Sequence, residues 1–203
     1  MSRGGLEWQP SEFEVSATTR ADGSILLRPT AQLPRCPDRL TDRLEYWSER
    51  APDSILVGQR DARGEWLTVT YRDALAKVRA LAAGLAGLHL GPDRPLLILS
   101  GNSIEHLMLG LAAMYIGVPY CPVSPAYSTQ SSDLSKLRYV VELLTPGLVA
   151  SFRNDDDARV VELAIPSATP VVFDADLTSP RRVITLSELA SGVDGEAAER
   201  PHA

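Results

Sequence analysis

The chain has 203 residues, 44% of them apolar, and a formal net charge of −6, which allows one sizeable core in a soluble chain. That acidic balance rules against nucleic acid as a main partner: Lys77 and Lys136 are the only lysines, and no basic stripe with interleaved aromatics supplies the face that phosphates require. Cys36 and Cys121 make neither a disulfide framework nor a zinc pattern and read as reduced thiols of a cytoplasmic protein.

The opening residues, Met1 to Val15, lack the apolar centre of a secretory signal. The longest apolar run, Leu107 to Pro119, falls short of the roughly 20 residues needed to cross a bilayer. A buried helix is expected there, with no membrane partner.

Residues 1–40 predict an extended entry. Glu12–Ser16 and Ile25–Arg28 read as two strands around an Asp22-Gly23 turn, and Pro29, Pro34 and Pro37 then prevent regular structure. A helix follows Leu40, with Thr41 as N-cap and Leu40, Leu44 and Trp47 on one face, ending at Pro52. Ile55–Arg60 and Glu65–Thr70 form a hairpin through Asp61-Ala62-Arg63-Gly64. Thr70 caps a helix to Leu88 whose buried face is Leu75, Val78, Ala82 and Leu85, with Gly91 and Pro92 as its stop.

Beyond this point the rhythm becomes strand, helix, strand. Pro95–Ser100 is a continuous apolar run of the kind buried on both faces of a parallel sheet. Gly101-Asn102-Ser103 leads into a helix to Tyr115. Pro119–Val123 is a strand, Ser132–Leu144 a helix, Leu148–Phe152 a strand, Asp155–Ile165 a helix and Pro170–Phe173 a strand. Residues 41–190 therefore predict an α/β unit, a parallel sheet with helices on both faces. Ser100, Ser124 and Phe152 mark the strand ends along the edge where such sheets bind ligands. Residues 191–203, rich in Gly, Ala and Glu, read as a tail.

Two blocks carry a resemblance. Glu65–Leu75 (EWLTVTYRDAL) precedes Pro95–Leu107 (PLLILSGNSIEHL), and Leu109–Ser128 (LGLAAMYIGVPYCPVSPAYS) precedes Lys136–Val149 (KLRYVVELLTPGLV). Their order resembles the N-terminal region of the adenylate-forming enzymes: acyl-CoA ligases, luciferases and peptide-synthetase adenylation domains. Thr70-Tyr71 is similar to that superfamily's first core motif, and Gly117-Val118-Pro119-Tyr120 with Pro122-Val123-Ser124-Pro125 to its second. Ser100–His106, Ser124–Ser128 and Ala21–Ile25 resemble the feruloyl-CoA synthetase branch.

The resemblance implies a partial N-terminal domain of the adenylate-forming fold. It also implies a two-step reaction in the full-length family. A carboxylate attacks ATP to give an acyl adenylate and pyrophosphate, and the CoA thiol then displaces AMP. The family's acid here would be a hydroxycinnamate such as ferulate, with ATP, Mg²⁺ and CoA as the cofactor set. The family's phosphate cradle is a Ser/Thr/Gly-rich loop ending in Lys. Leu99-Ser100-Gly101-Asn102-Ser103 is the nearest stretch here, and it lacks the second Gly and the Lys. Neither Lys77 nor Lys136 has the context of the catalytic lysine. The expectation is an N-terminal fragment that is inactive alone and binds none of those cofactors tightly, with no catalytic, cofactor or metal residue assigned. Ser124, Pro125 and Tyr127, on a loop at a strand's carboxyl end, are the candidates for a substrate-pocket rim.

The remaining candidates have structural readings. Asn102 and Ser103 are an N-cap before an anion site, and His106 is a hydrogen-bonded structural histidine. Asp155-Asp156-Asp157 favourably charge a helix start, while Met108, Met114 and Tyr115 belong to the core. The alternative function is a stand-alone, non-catalytic α/β binding or regulatory module derived from such a ligase. An incomplete domain should expose apolar surface and self-associate, whereas a module should be a compact monomer.

Overall fold

A computed structural model describes residues 14–32, 36–128, 130–152, 154–173 and 181–191. The chain divides into two units, Met1–Asp38 and Arg39–Ala203. In the first, β1 (Val15–Thr19) pairs antiparallel with β2 (Ile25–Pro29). The turn is the expected one: Gly23 takes φ +81°, and the Asp22 carboxylate accepts the Ser24 N–H and hydroxyl at 2.9 and 2.7 Å. The first strand starts later than the expected Glu12; residues 12 and 13 lie outside the described residues.

The second unit opens with α1 (Thr41–Arg50), the hairpin β3 (Ile55–Arg60) and β4 (Trp66–Thr70), and α2 (Tyr71–Ala86). Then come β5 (Leu96–Ile98), α3 (Ile104–Tyr115), β6 (Tyr120–Pro122), a 3₁₀ turn at Pro125–Tyr127, α4 (Ser135–Leu144), β7 (Leu148–Ala150), α5 (Asn154–Ala164), β8 (Val171–Phe173), β9 (Val183–Thr185) and α6 (Leu186–Ser191).

Thr70 caps α2 as expected, accepting the Asp73 N–H at 3.2 Å. Thr41 does not cap α1. It lies inside the helix with its hydroxyl buried and unpartnered. Asp42 occupies the entrance instead, accepting the Arg39 N–H at 3.1 Å and its Nε–H at 2.8 Å. Of the predicted α1 face, Leu44 is buried, whereas Leu40 and Trp47 are exposed. Helix α2 ends at Ala86, capped by Gly87, before the predicted stop at Gly91-Pro92. Helix α4 starts at Ser135 and not at Ser132, because Asp133 accepts the Ser135 N–H and hydroxyl at 2.9 and 2.8 Å.

The five-stranded sheet has the order β6-β5-β7-β8-β9, all parallel. Each strand alternates its side chains between two cores. Leu96, Ile98, Leu148, Ala150, Val172 and Ile184 face one way, against Val78 and Leu85 of α2, Met108 and Leu109 of α3 and Leu189 of α6. Leu97, Val149, Val171 and Phe173 face the other, against Leu137 and Val141 of α4 and Val160 and Val161 of α5. Helices thus cover both faces, and each fully buried Leu or Val contributes about 1.5–3 kcal/mol. Proline at position 122 sits on β6, one of the sheet's two edge strands.

A polar clamp ties α1 to α2 and α3. The Tyr115 hydroxyl donates to Glu45 Oε1 at 2.7 Å, and Arg79 Nε–H donates to the Tyr115 oxygen at 3.1 Å. Burial, and then the bond to Glu45, pushes the Tyr115 phenol above its ordinary range.

β9 and α6 were not expected from the sequence. The buried Arg181 guanidinium before β9 donates to the Val161, Ile165 and Pro166 carbonyls at 3.3–3.4 Å and pairs with Glu162 at 2.9 Å. It thereby adds donors at the end of α5, where backbone acceptors run short of helical partners, although the Val161 carbonyl also accepts the Ile165 N–H at 3.0 Å. Helix α6 begins with a capping box: Thr185 N–H donates to Glu188 at 2.7 Å, and Glu188 N–H donates to Thr185 Oγ1 at 3.1 Å. It crosses α2 so closely that a Cβ on Gly84 would lie 1.9 Å from the Leu189 carbonyl oxygen.

Two outcomes are expected. Gly84→Ala forces α6 off α2 and lowers stability in urea unfolding by about 1–3 kcal/mol, the usual cost of overpacking. The Thr185 bonds, the backbone one foremost, hold the Glu188 carboxyl below its ordinary value of 4.5. A depressed folded pKa gives stabilisation that is present above the unfolded value and lost as pH falls through the folded one. Amide exchange protection at Thr185, corrected for intrinsic rate, should hold down to that ordinary value and fall below it; Glu188→Gln should abolish the pH dependence.

Candidate functional site

The sheet order sets the site. From β5 the chain moves to one side to make β6, then returns past β5 to make β7, β8 and β9. The connections leaving the carboxyl ends of β5 and β7 therefore diverge, opening the crevice where parallel α/β sheets take ligands. Three segments reach that edge: Ser100–Ser103 after β5, Val123–Ser128 after β6, and Ser151–Phe152 after β7. Ser100, Ser128 and Ser151 are buried, an unusual concentration of polar side chains at the end of an apolar sheet. Ser128 Oγ is buried without a hydrogen-bond partner.

The start of α3 is closed by the protein's own groups. Ser103 is its N-cap, accepting the His106 N–H at 3.1 Å. Gln59 Oε1, from β3, accepts the Ile104 N–H at 2.8 Å. Two of the amides that could hold an anion are thus occupied, in line with the capping reading of Ser103. His106 is hydrogen-bonded, its Nδ1 lying 3.1 Å from the Gly101 carbonyl oxygen and 3.3 Å from Ser100 Oγ.

Ser124, Pro125 and Tyr127 lie together on the turn that leaves β6. Ser124 accepts the Ala126 N–H at 3.3 Å. Tyr127 is exposed, with Lys136 Nζ 5.1 Å from its ring centre. The turn places all three at the carboxyl edge of the sheet. The side chains of Asp155, Asp156 and Asp157 lie outside the described residues, although the backbone there forms the first turn of α5. Met108 and Tyr115 are core residues as expected. Met114 is not fully enclosed; it lines a cavity of about 380 Å³ with Val57, Gln59, His106, Leu107 and Tyr120, beside the hairpin β3–β4. Sequence reasoning missed this cavity, because nothing in the spacing of β3 and α3 shows how far apart their side chains stand.

Among the described residues, no group of three His, Cys, Asp or Glu side chains could hold a metal ion, and no helix is long and apolar enough to cross a membrane.

The chain is 26% identical over 148 residues to a long-chain-fatty-acid–CoA ligase of Mycobacterium bovis, covering 72% of this chain and 24% of the ligase. It is 25% identical over 145 residues to malpinin synthetase of Mortierella alpina, covering 70% of this chain and 2% of that protein. The chain therefore spans a quarter or less of these relatives. The fold is similar to the structure of a fatty acyl-adenylate ligase from L. pneumophila, with a TM-score of 0.57 at 16% identity, over 81% of this chain and 26% of that one. The model of the AMP-binding enzyme family matches residues 44–191, from α1 to the end of α6, and the chain belongs to that family.

Proposed function

We propose that the chain is the N-terminal portion of an AMP-forming acyl-CoA ligase acting on hydroxycinnamate-type acids such as ferulate, and that these residues do not adenylate by themselves. The observation that carries the reading is the crevice at the carboxyl edge of β5 and β7, which lies within the segment matched by the AMP-binding family. The hydroxycinnamate assignment is supported by the Ser100–His106, Ser124–Ser128 and Ala21–Ile25 runs, which resemble feruloyl-CoA synthetase.

In this reading the reaction joins a carboxylate, ATP and CoA into an acyl-CoA, AMP and pyrophosphate. Ser124, Pro125 and Tyr127 border the acid's pocket in the whole enzyme, which works in the cytoplasm. Catalysis of in-line attack on a phosphate needs positioned donors and positive charge. What supports inactivity of these residues alone is that α3 spends its first amides on Ser103 and Gln59. The chain's work is to build the sheet edge against which the acid and nucleotide are held.

Pyrophosphate release from ATP, with ferulate or palmitate offered separately, tests this. The 203-residue chain should show no carboxylate-dependent release. Where the reading frame runs on past Ala203 into a Lys-ended Ser/Thr/Gly loop, the longer protein should release pyrophosphate with ferulate. Release by the 203 residues alone, or by the longer protein with palmitate only, would overturn the corresponding half of the proposal. Tyr127→Ala in the longer protein should raise KM for ferulate severalfold and leave KM for ATP nearly unchanged, as expected for loss of uniform acid binding.

A further inference from the structure

The cavity between the β3–β4 hairpin and α3 carries two half-buried polar side chains, Gln59 and His106, each with one hydrogen-bonding group that makes no bond among the described residues. Gln59 presents its amide oxygen to the Ile104 N–H at 2.8 Å. Only the oxygen can accept, so this bond fixes the amide's orientation and leaves its NH₂ as a donor. His106 Nδ1 lies 3.1 Å from the Gly101 carbonyl oxygen. A carbonyl can only accept, so Nδ1 carries the proton, and Nε2 of the neutral ring is an acceptor. Among the described residues nothing bonds to either free group, and both side chains line the same 380 Å³ space.

The rest of the wall is largely apolar, with Asn102 and Ser103 as its further polar residues. Val57, Leu107, Leu111 and Met114 line it with Tyr120. The Tyr120 ring lies against Gly110, where a Cβ would come within 3.1 Å of it. A thioether and an aromatic ring both pack well on an aromatic guest. The volume falls in the range of about 300–1,000 Å³ typical of small-molecule sites.

The geometry points to a binding site for a small hydroxyaryl compound in this slot. Its phenolic hydroxyl donates to His106 Nε2 and accepts from the Gln59 NH₂, and its ring fills the space beside Met114 and Tyr120. A hydroxyl is the smallest group that answers both a donor and an acceptor, and a phenol adds the flat apolar body. The site lies on the side of α3 that faces the hairpin, and Asn102 and Ser103 of the turn after β5 form one end of it.

The test uses the 203-residue chain with ¹³C-methyl methionine and no ATP. The probes are 4-hydroxyacetophenone and 4-methoxyacetophenone, which differ in the phenolic proton and carry no carboxylate. The hydroxy probe should shift the Met114 methyl saturably and leave that of Met108, buried in the core, in place. The methoxy probe should bind about tenfold more weakly, the worth of one hydrogen bond at the upper end of the usual net range. Gln59→Glu keeps the oxygen that caps Ile104 and removes the donor; it should melt like the parent and lose at least about tenfold in affinity for the hydroxy probe by the same reasoning. No Met114 shift up to the probe's solubility, equal binding of the two probes, or unchanged binding by Gln59→Glu would overturn the proposal. So would a Met114 shift with protein concentration alone, which would assign the slot to a second copy. Because neither probe can be adenylated, failure here is independent of the outcome with ferulate and ATP.

Discussion

The second unit depends on a strand of three residues. Leu96, Leu97 and Ile98 are fully buried, and β5 is the strand from which the chain first builds to one side and then to the other. Leu96 and Ile98 belong to the core under α2, α3 and α6, whereas Leu97 belongs to the core under α4 and α5. One short segment therefore joins two cores, and a polar residue at any of its positions would face apolar surroundings with no water to compensate. The demand for apolar side chains on both faces is also why this run is uninterrupted in the sequence.

What β5 fixes at its carboxyl end is polar. The strand runs straight into Ser100 and Gly101, and the backbone must there satisfy its own groups while turning into α3. Ser103 and Gln59 take the first free amides, and Gly101 holds His106. Local capping thus competes with ligand binding for the same groups, and here capping has the geometry. The crevice keeps its character through Ser128, buried with a hydroxyl that has no partner among the described residues.

Much of this was legible in the sequence. Apolar runs of β-strand length, separated by helical periodicities, read directly as a parallel sheet, because each strand is buried on both faces and each helix on one. The Asp22-Gly23 turn and the Thr70 and Ser103 caps were equally clear, since each is a local bargain between one side chain and a nearby amide. Thr41 misled because Asp42, one residue on, makes the stronger, charge-assisted bond to Arg39. β9 and α6 were missed because Val183-Ile184-Thr185 is too short to show a period. The signal that could have found them is the Thr185-x-x-Glu188 capping box. The slot beside α3 had no sequence signature at all; its walls come from elements that meet only in three dimensions.

Pro122 has a consequence for how copies of the chain can meet. In a parallel pair, alternate residues turn their backbone groups to the neighbour. Leu96 N–H donates to the Pro119 carbonyl and Val123 N–H to that of Ile98, so Tyr120 and Pro122 turn theirs outward. Proline has no N–H to offer, and the open rim of the sheet is left with a broken row of donors, a common way of blunting an edge against strand-to-strand aggregation. Runaway β-addition at this rim is disfavoured by the backbone itself. Contact between copies is pushed instead toward side-chain packing, for which Tyr139 and Leu143 of α4, 65% and 66% exposed, offer an outward apolar pair one helical turn apart.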